Sequence, residues 1–124
     1  MTEVTTLPEP PAERLDLVTV LAALADRWRL AAVRALAEVK DPVYCGQLML
    51  EAGFNVSKST VSHHMRVLRE AGITSTRVVG ARRYTSLRFE VLNARFPGLL
   101  DAIISARLEP DDPIVRAVEV AARL

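Results

Sequence analysis

The stretch Ser57-Lys58-Ser59-Thr60-Val61-Ser62-His63-His64-Met65-Arg66-Val67-Leu68-Arg69-Glu70-Ala71-Gly72 decides the fold. It reads as one helix with both ends marked. Ser57 is an N-cap candidate, because its hydroxyl oxygen can accept a first-turn backbone N–H. Gly72 stands where a helix is commonly closed by a left-handed residue. On a wheel of ~100° per residue, Val61, Met65 and Leu68 share one narrow face, with His64 and Ala71 at its edge. Ser59, Ser62, His63, Arg66 and Glu70 lie opposite. The outward face is short, polar and carries a single acid, Glu70. A merely solvated helix face would carry more acids and lysines.

Working outward, Ile73 to Val79 is rich in β-branched residues. Gly80-Ala81 makes a turn and Arg82 to Arg88 a second strand, so this segment reads as a β-hairpin. On the other side, Gly46 to Ala52 makes about two helical turns, and Gly53-Phe54-Asn55-Val56 turns the chain into the Ser57 helix. Two helices joined by a tight turn and followed by a hairpin spell a winged helix-turn-helix. Further upstream, the Leu17, Leu21, Leu24 spacing gives a helix from about Ala12. Asp26 caps another over Arg27 to Val39, which Asp41-Pro42 stops. Downstream, Val91 to Leu108 is helical, with its regular part starting near Pro97. Asp112-Pro113 opens a last helix to about Arg123. The expected fold is mainly α with a small β-hairpin, in the order α-α-α-α-β-β-α plus an extra C-terminal helix. Residues 1–11, with Pro8, Pro10 and Pro11, read as a flexible arm. Residues 12–108 are expected to form the winged helix-turn-helix domain, and 109–124 a C-terminal helix.

Composition is that of an ordinary globular chain of 124 residues, half apolar and a quarter charged. The net charge is only +1, but its distribution is uneven. Ser57 to Glu90 holds seven basic residues against two acids, and the rest of the chain nine against thirteen. A local basic surface suits a phosphate backbone. No apolar run is long enough for a membrane span, and the prolines and acids of Met1 to Pro11 do not resemble a secretory signal. The expected location is the cytoplasm, which a lone cysteine, Cys45, also suits.

The residues then divide by task. Lys58, Ser59, Thr60, Ser62 and His63 are placed to read base edges, and Arg66 and Arg69 to grip phosphate. Arg77, Arg82 and Arg83 belong to the hairpin, where Arg82, nearest the turn, is the choice for the minor groove. Arg82 and Arg83 are adjacent on a strand and point to opposite faces. His63 could instead ligate a metal, but its outward place favours DNA. His64 reads as a packed, hydrogen-bonded histidine and Cys45 as a small buried hydrophobe. Trp28 is either core or the lining of an effector pocket. Ser62 and His63, adjacent on a helix, cannot pair as nucleophile and base, and no phosphate loop or dinucleotide motif is present. The chain is therefore not expected to be an enzyme. A winged-helix protein-interaction module would present an apolar or acidic outward face, which this is not.

Ser57 to Ile73 closely resembles the recognition helix of the ArsR/SmtB family of bacterial regulators. Leu21-Ala22-Ala23-Leu24-Ala25-Asp26-Arg27-Trp28-Arg29-Leu30 is similar to that family's "L-x-x-L-A-D-x-x-R-L" signature, and Gly80 to Leu87 to its wing. The resemblance implies a homodimer, paired through the first and late helices, that binds an inverted-repeat operator on double-stranded DNA. Most members repress and are released by an effector; no residue here distinguishes repressor from activator. Many metal-sensing members carry "C-x-C-D" at the third helix, where this chain has Tyr44-Cys45-Gly46-Gln47; others use "D-x-H" and "H-x-x-E" on the last long helix, and no histidine follows His64. No metal or cofactor is expected, although a non-standard site between subunits, around Asp101, Glu109, Asp111 and Asp112, stays open. The effector is unknown. Residues 12–108 would then hold the DNA-binding domain with its dimerisation helices, and the helix of 109–124 is expected first at a dimer contact and second back on its own chain.

Overall fold

Four helices begin on a side chain that accepts a backbone N–H from the first turn. In the computed structural model, which describes residues 3–124, Asp16 accepts from Thr19, Asp26 from Arg29, Ser57 from Thr60 and Asp112 from Ile114. Each cap satisfies a donor that the helix cannot. The helices they start are α1 (Leu17–Leu24), α2 (Arg27–Leu36), α4 (Lys58–Glu70) and α7 (Pro113–Ala122). Between them lie α3 (Cys45–Glu51), α5 (Phe89–Arg95) and α6 (Leu99–Ser105). A single 3₁₀ turn, Ala12–Arg14, stands where helix was expected from Ala12.

The helices α3 and α4 both end the same way. Gly53 and Gly72 take φ of 97° and 82°. Phe54 N–H donates to Met49 C=O and Ile73 N–H to Leu68 C=O, each at 3.0 Å, and each glycine N–H bonds one turn back. These are Schellman closures, which need a left-handed residue at the glycine. Gly72 is also crowded: a Cβ there would lie 2.8 Å from Leu15 Cγ.

The wing is a three-stranded antiparallel sheet in the order β1-β2-β3: β1 (Val4–Thr6), β2 (Thr74–Val79) and β3 (Arg82–Leu87). The register runs Val4 opposite Val79 and Thr6 opposite Arg77, then Thr74 opposite Leu87 and Val79 opposite Arg82. So part of the segment expected to be a flexible arm is an edge strand. Val4-Thr5-Thr6 has strand-forming side chains, and the prolines begin only after it, where pairing ends. Glu9 fastens the proline-rich segment beyond the strand. Its carboxylate accepts from Ser75 Oγ at 2.7 Å and pairs with Arg88 Nε at 2.8 Å. The opposite edge of the wing is met by Val43, which exchanges two backbone hydrogen bonds with Thr85. The β3 edge is thereby partly covered.

The core forms around α2, which buries Trp28, Ala31, Ala32, Val33, Ala35 and Leu36. Its alanines let neighbours approach closely. The α7 helix lies against α2 and α3 with Ile114, Ala117, Val120 and Ala121 buried. The apolar face of this helix is thus covered by its own chain, the second of the two packings that its sequence allows. The late helical stretch is also divided. Pro97 has no N–H and disfavours α backbone at Phe96, whose φ and ψ are −131° and 74°, so α5 closes and Gly98 opens α6. The residues ahead of Pro97 are thus helical too. No helix is long and apolar enough to cross a membrane among the described residues.

Candidate nucleic-acid interface

The position of α4 is set from behind. Leu68 is fully buried, while Val61 and Met65 are half-buried against the core. His64 supplies the lateral fix. Its ring stacks on Trp28 with centroids 4.9 Å apart and planes 17° from parallel. Arg29 Nη1 lies 2.9 Å from His64 Nδ1, and Arg29 Nε donates to Ala23 C=O at 2.6 Å. A guanidinium can only donate, so Nδ1 accepts and the neutral ring carries its proton on Nε2. Burial holds His64 below the usual imidazole range; Arg29 and His63 push the same way, and Asp26, 3.9 Å from Nδ1, opposes them. Trp28 is therefore a core residue bound to α4. Its Nε1 is buried with no hydrogen-bond partner among the described residues.

From this anchored helix, Lys58, Ser59, Ser62, His63 and Arg66 all project into solvent. They form one continuous outward strip beginning at the helix N-terminus, whose unbonded N–H groups favour negative charge. Thr60 differs from the rest of the expected set. It is half-buried, and its Oγ1 lies 2.9 Å from Ser57 Oγ, so its hydroxyl serves the cap. Arg69 is half-buried on the flank of α4 that faces the wing.

The wing residues separate by face, as strand alternation requires. Thr76, Val78, Arg83 and Thr85 share one side, toward α4, while Arg77, Val79, Arg82 and Tyr84 share the other. Arg77, Arg82 and Arg83 are all exposed. At the tip Arg82 leans over Tyr44, with its guanidinium carbon 5.8 Å from the ring centroid. Arg88, counted in the basic stretch, is tied to Glu9 and also donates to the carbonyls of Pro10 and Gly72. It is a structural clasp, and the basic surface consists of the other six residues.

No three His, Cys, Asp or Glu side chains converge to hold a metal among the described residues. Cys45 is buried, and burial pushes its thiol up to about 12. Asp112 caps α7 and pairs with Arg27 at 2.6 Å; the hydrogen bond from Ile114 N–H, and then the Arg27 guanidinium, hold its carboxyl below the usual range.

Residues 26–76 match the family described as "Bacterial regulatory protein, arsR family". An uncharacterized HTH-type transcriptional regulator, YceK, of Bacillus subtilis (strain 168) is 36% identical over 84 residues, spanning 68% of this chain and 82% of that protein. The chain belongs to the arsR family. It is accordingly a transcriptional regulator with a helix-turn-helix DNA-binding domain, and its family consists of DNA-binding regulators, not enzymes. In this arsR-family protein the matched segment runs from the α2 cap at Asp26 through α4 into β2. It contains the anchor made by Arg29, Trp28 and His64. Helical periodicity places His64 in packing but does not name its partners, because they lie more than thirty residues upstream.

Proposed function

We propose that this protein is a homodimeric repressor that binds an inverted-repeat operator and is released by an effector. One observation carries the DNA-reading part: the exposed strip of Lys58, Ser59, Ser62, His63 and Arg66 on a helix whose other side is clamped by Leu68 and His64. A helix held this firmly can present small polar groups to major-groove edges without paying for reorganisation. Arg66, Arg69, Arg77, Arg82 and Arg83 then flank it as phosphate and minor-groove contacts.

The exposed face of α1 supports self-association. Val18 is 73% exposed, and Leu17 and Leu21 are each 45% exposed. Three large apolar side chains at helical spacing, facing solvent, are suited to a two-fold contact with a second copy. Such a dimer would set the two recognition helices about 34 Å apart, one turn of DNA. Repression with effector release follows the habit that the family resemblance implies, and no resident cofactor is proposed. The test is a gel shift of the full chain on its own upstream DNA at low salt, where phosphate contacts are strongest. A shift that survives random competitor DNA supports the reading; no shift under those conditions overturns it.

A further inference from the structure

A cavity of about 380 Å³ lies between the start of α3, the flank of α4 and the wing. That falls in the lower part of the roughly 300–1,000 Å³ range of small-molecule pockets. Its lining has a definite chemical character. Phe54, Val61 and Met65 make an apolar wall. Lys58, Arg69 and Arg83 bring three cations, and no aspartate or glutamate lines it. Cys45 also lines it, but its thiol, buried and raised in pKa, stays protonated and adds no negative charge. From β2 comes Thr76, 2% exposed, whose hydroxyl has no hydrogen-bond partner among the described residues. A buried hydroxyl left without a partner calls for an explanation, and a ligand that supplies the bond is one.

We infer that this cavity binds a small organic carboxylate, its apolar body against Phe54, Val61 and Met65, its charge on Arg69 and Arg83, and a hydrogen bond from Thr76. The site would be regulatory by position. Lys58, Ser62, Arg69 and Arg83 both line the cavity and belong to the proposed DNA surface. A bound carboxylate and a DNA phosphate therefore compete for the same cations. Because coupling is reciprocal, DNA must weaken the carboxylate by the same factor. Only this coupling rests on the DNA reading; ligand binding itself does not.

The experiment titrates the full chain, without DNA, with phenylacetate, 4-phenylbutyrate and octanoate, and with phenylacetamide as the uncharged control, by amide NMR and calorimetry. At least one carboxylate should saturate at one per chain, and phenylacetamide should bind about tenfold or more weakly than that acid. Thr76→Val keeps the shape, removes only the unpartnered hydroxyl, and should weaken that carboxylate several-fold while leaving DNA affinity unchanged. Gly46→Leu should block the cavity. A Cβ at Gly46 would meet Val61 and Tyr44 only at ordinary contact distances of 3.6 and 3.7 Å, so the longer side chain extends into space that is open. Adding the carboxylate at constant ionic strength should weaken DNA binding about fivefold or more. No saturation by any of the three acids below about 10 mM overturns the inference. So does equal binding of acid and amide, or carboxylate binding that neither variant disturbs. Saturation that leaves DNA affinity untouched overturns the regulatory role. A chain that takes the carboxylate but no DNA would refute the DNA reading and leave the site standing.

Discussion

Replacing Gly72 by alanine should cost this protein far more than the same change at Gly53. Both glycines close a helix of the helix-turn-helix in the left-handed region, at φ of 82° and 97°. An L-residue there costs roughly 1–2 kcal/mol, offset by about 0.4–1 kcal/mol because alanine also restricts the unfolded chain. The net backbone cost at each site is therefore about 1 kcal/mol. At Gly53 nothing lies within 4 Å of the added Cβ, so that is the whole effect. At Gly72 the Cβ would sit 2.8 Å from Leu15 Cγ and Cδ1 and 3.2 Å from Arg88 Nη1. Leu15 is buried and cannot swing into solvent. Overpacking of this kind adds roughly 1–3 kcal/mol. Gly72→Ala should thus cost about 2–4 kcal/mol in all. Urea unfolding followed by circular dichroism measures both variants, with unchanged slopes as the sign that the comparison is fair. Equal costs at the two positions would refute the close approach between Leu15 and the end of the recognition helix.

Acidification should loosen the anchor of α4. The folded pKa of His64 lies below its unfolded value of about 6.5. The unfolded chain therefore binds more protons between the two values. The contribution is present above about pH 6.5 and is lost as pH falls through the folded pKa. His64→Gln should flatten that part of the stability-against-pH curve, and an unchanged curve would contradict it. For the dimer, Val18→Asp on the exposed face of α1 removes two apolar contacts per dimer, each worth about 1.5 kcal/mol. Dimerisation should weaken by roughly a hundredfold or more in analytical ultracentrifugation; no change would move the interface elsewhere. Arg82→Ala should weaken operator and random DNA together and lower the salt slope by about 1 per bound chain, and a loss confined to the operator would contradict a backbone or groove-wall role.

What could be read from the sequence was local. The caps at Asp26, Ser57 and Asp112, the closure at Gly72 and the hairpin over residues 74–87 each depend on neighbours a few positions away, and all are present. The outward set on α4 was equally legible, because helical periodicity fixes which side chains share a face. Thr60 was the exception, since its short hydroxyl finds the cap before it finds solvent. The long-range pairings escaped. The strand β1 finds its partner about seventy residues later, and its one signal was the run Val4-Thr5-Thr6. Arg88 looked like surface charge until its partner Glu9 came from the same distant segment. The α7 helix was apolar enough for either packing, and the alanines of α2 are what let it return to its own chain. Those alanines alone do not name their neighbour.

The central claim is that the outward strip of α4 reads sequence. Fluorescence anisotropy of the wild type and Ser62→Ala, on the protein's own upstream duplex and on a random duplex at one salt concentration, tests it most directly. Loss of one base-edge contact should cost about 1–3 kcal/mol on the upstream site, roughly 5- to 150-fold in affinity, and leave random DNA nearly unchanged. An equal loss on both duplexes, or no loss on either, would contradict the account.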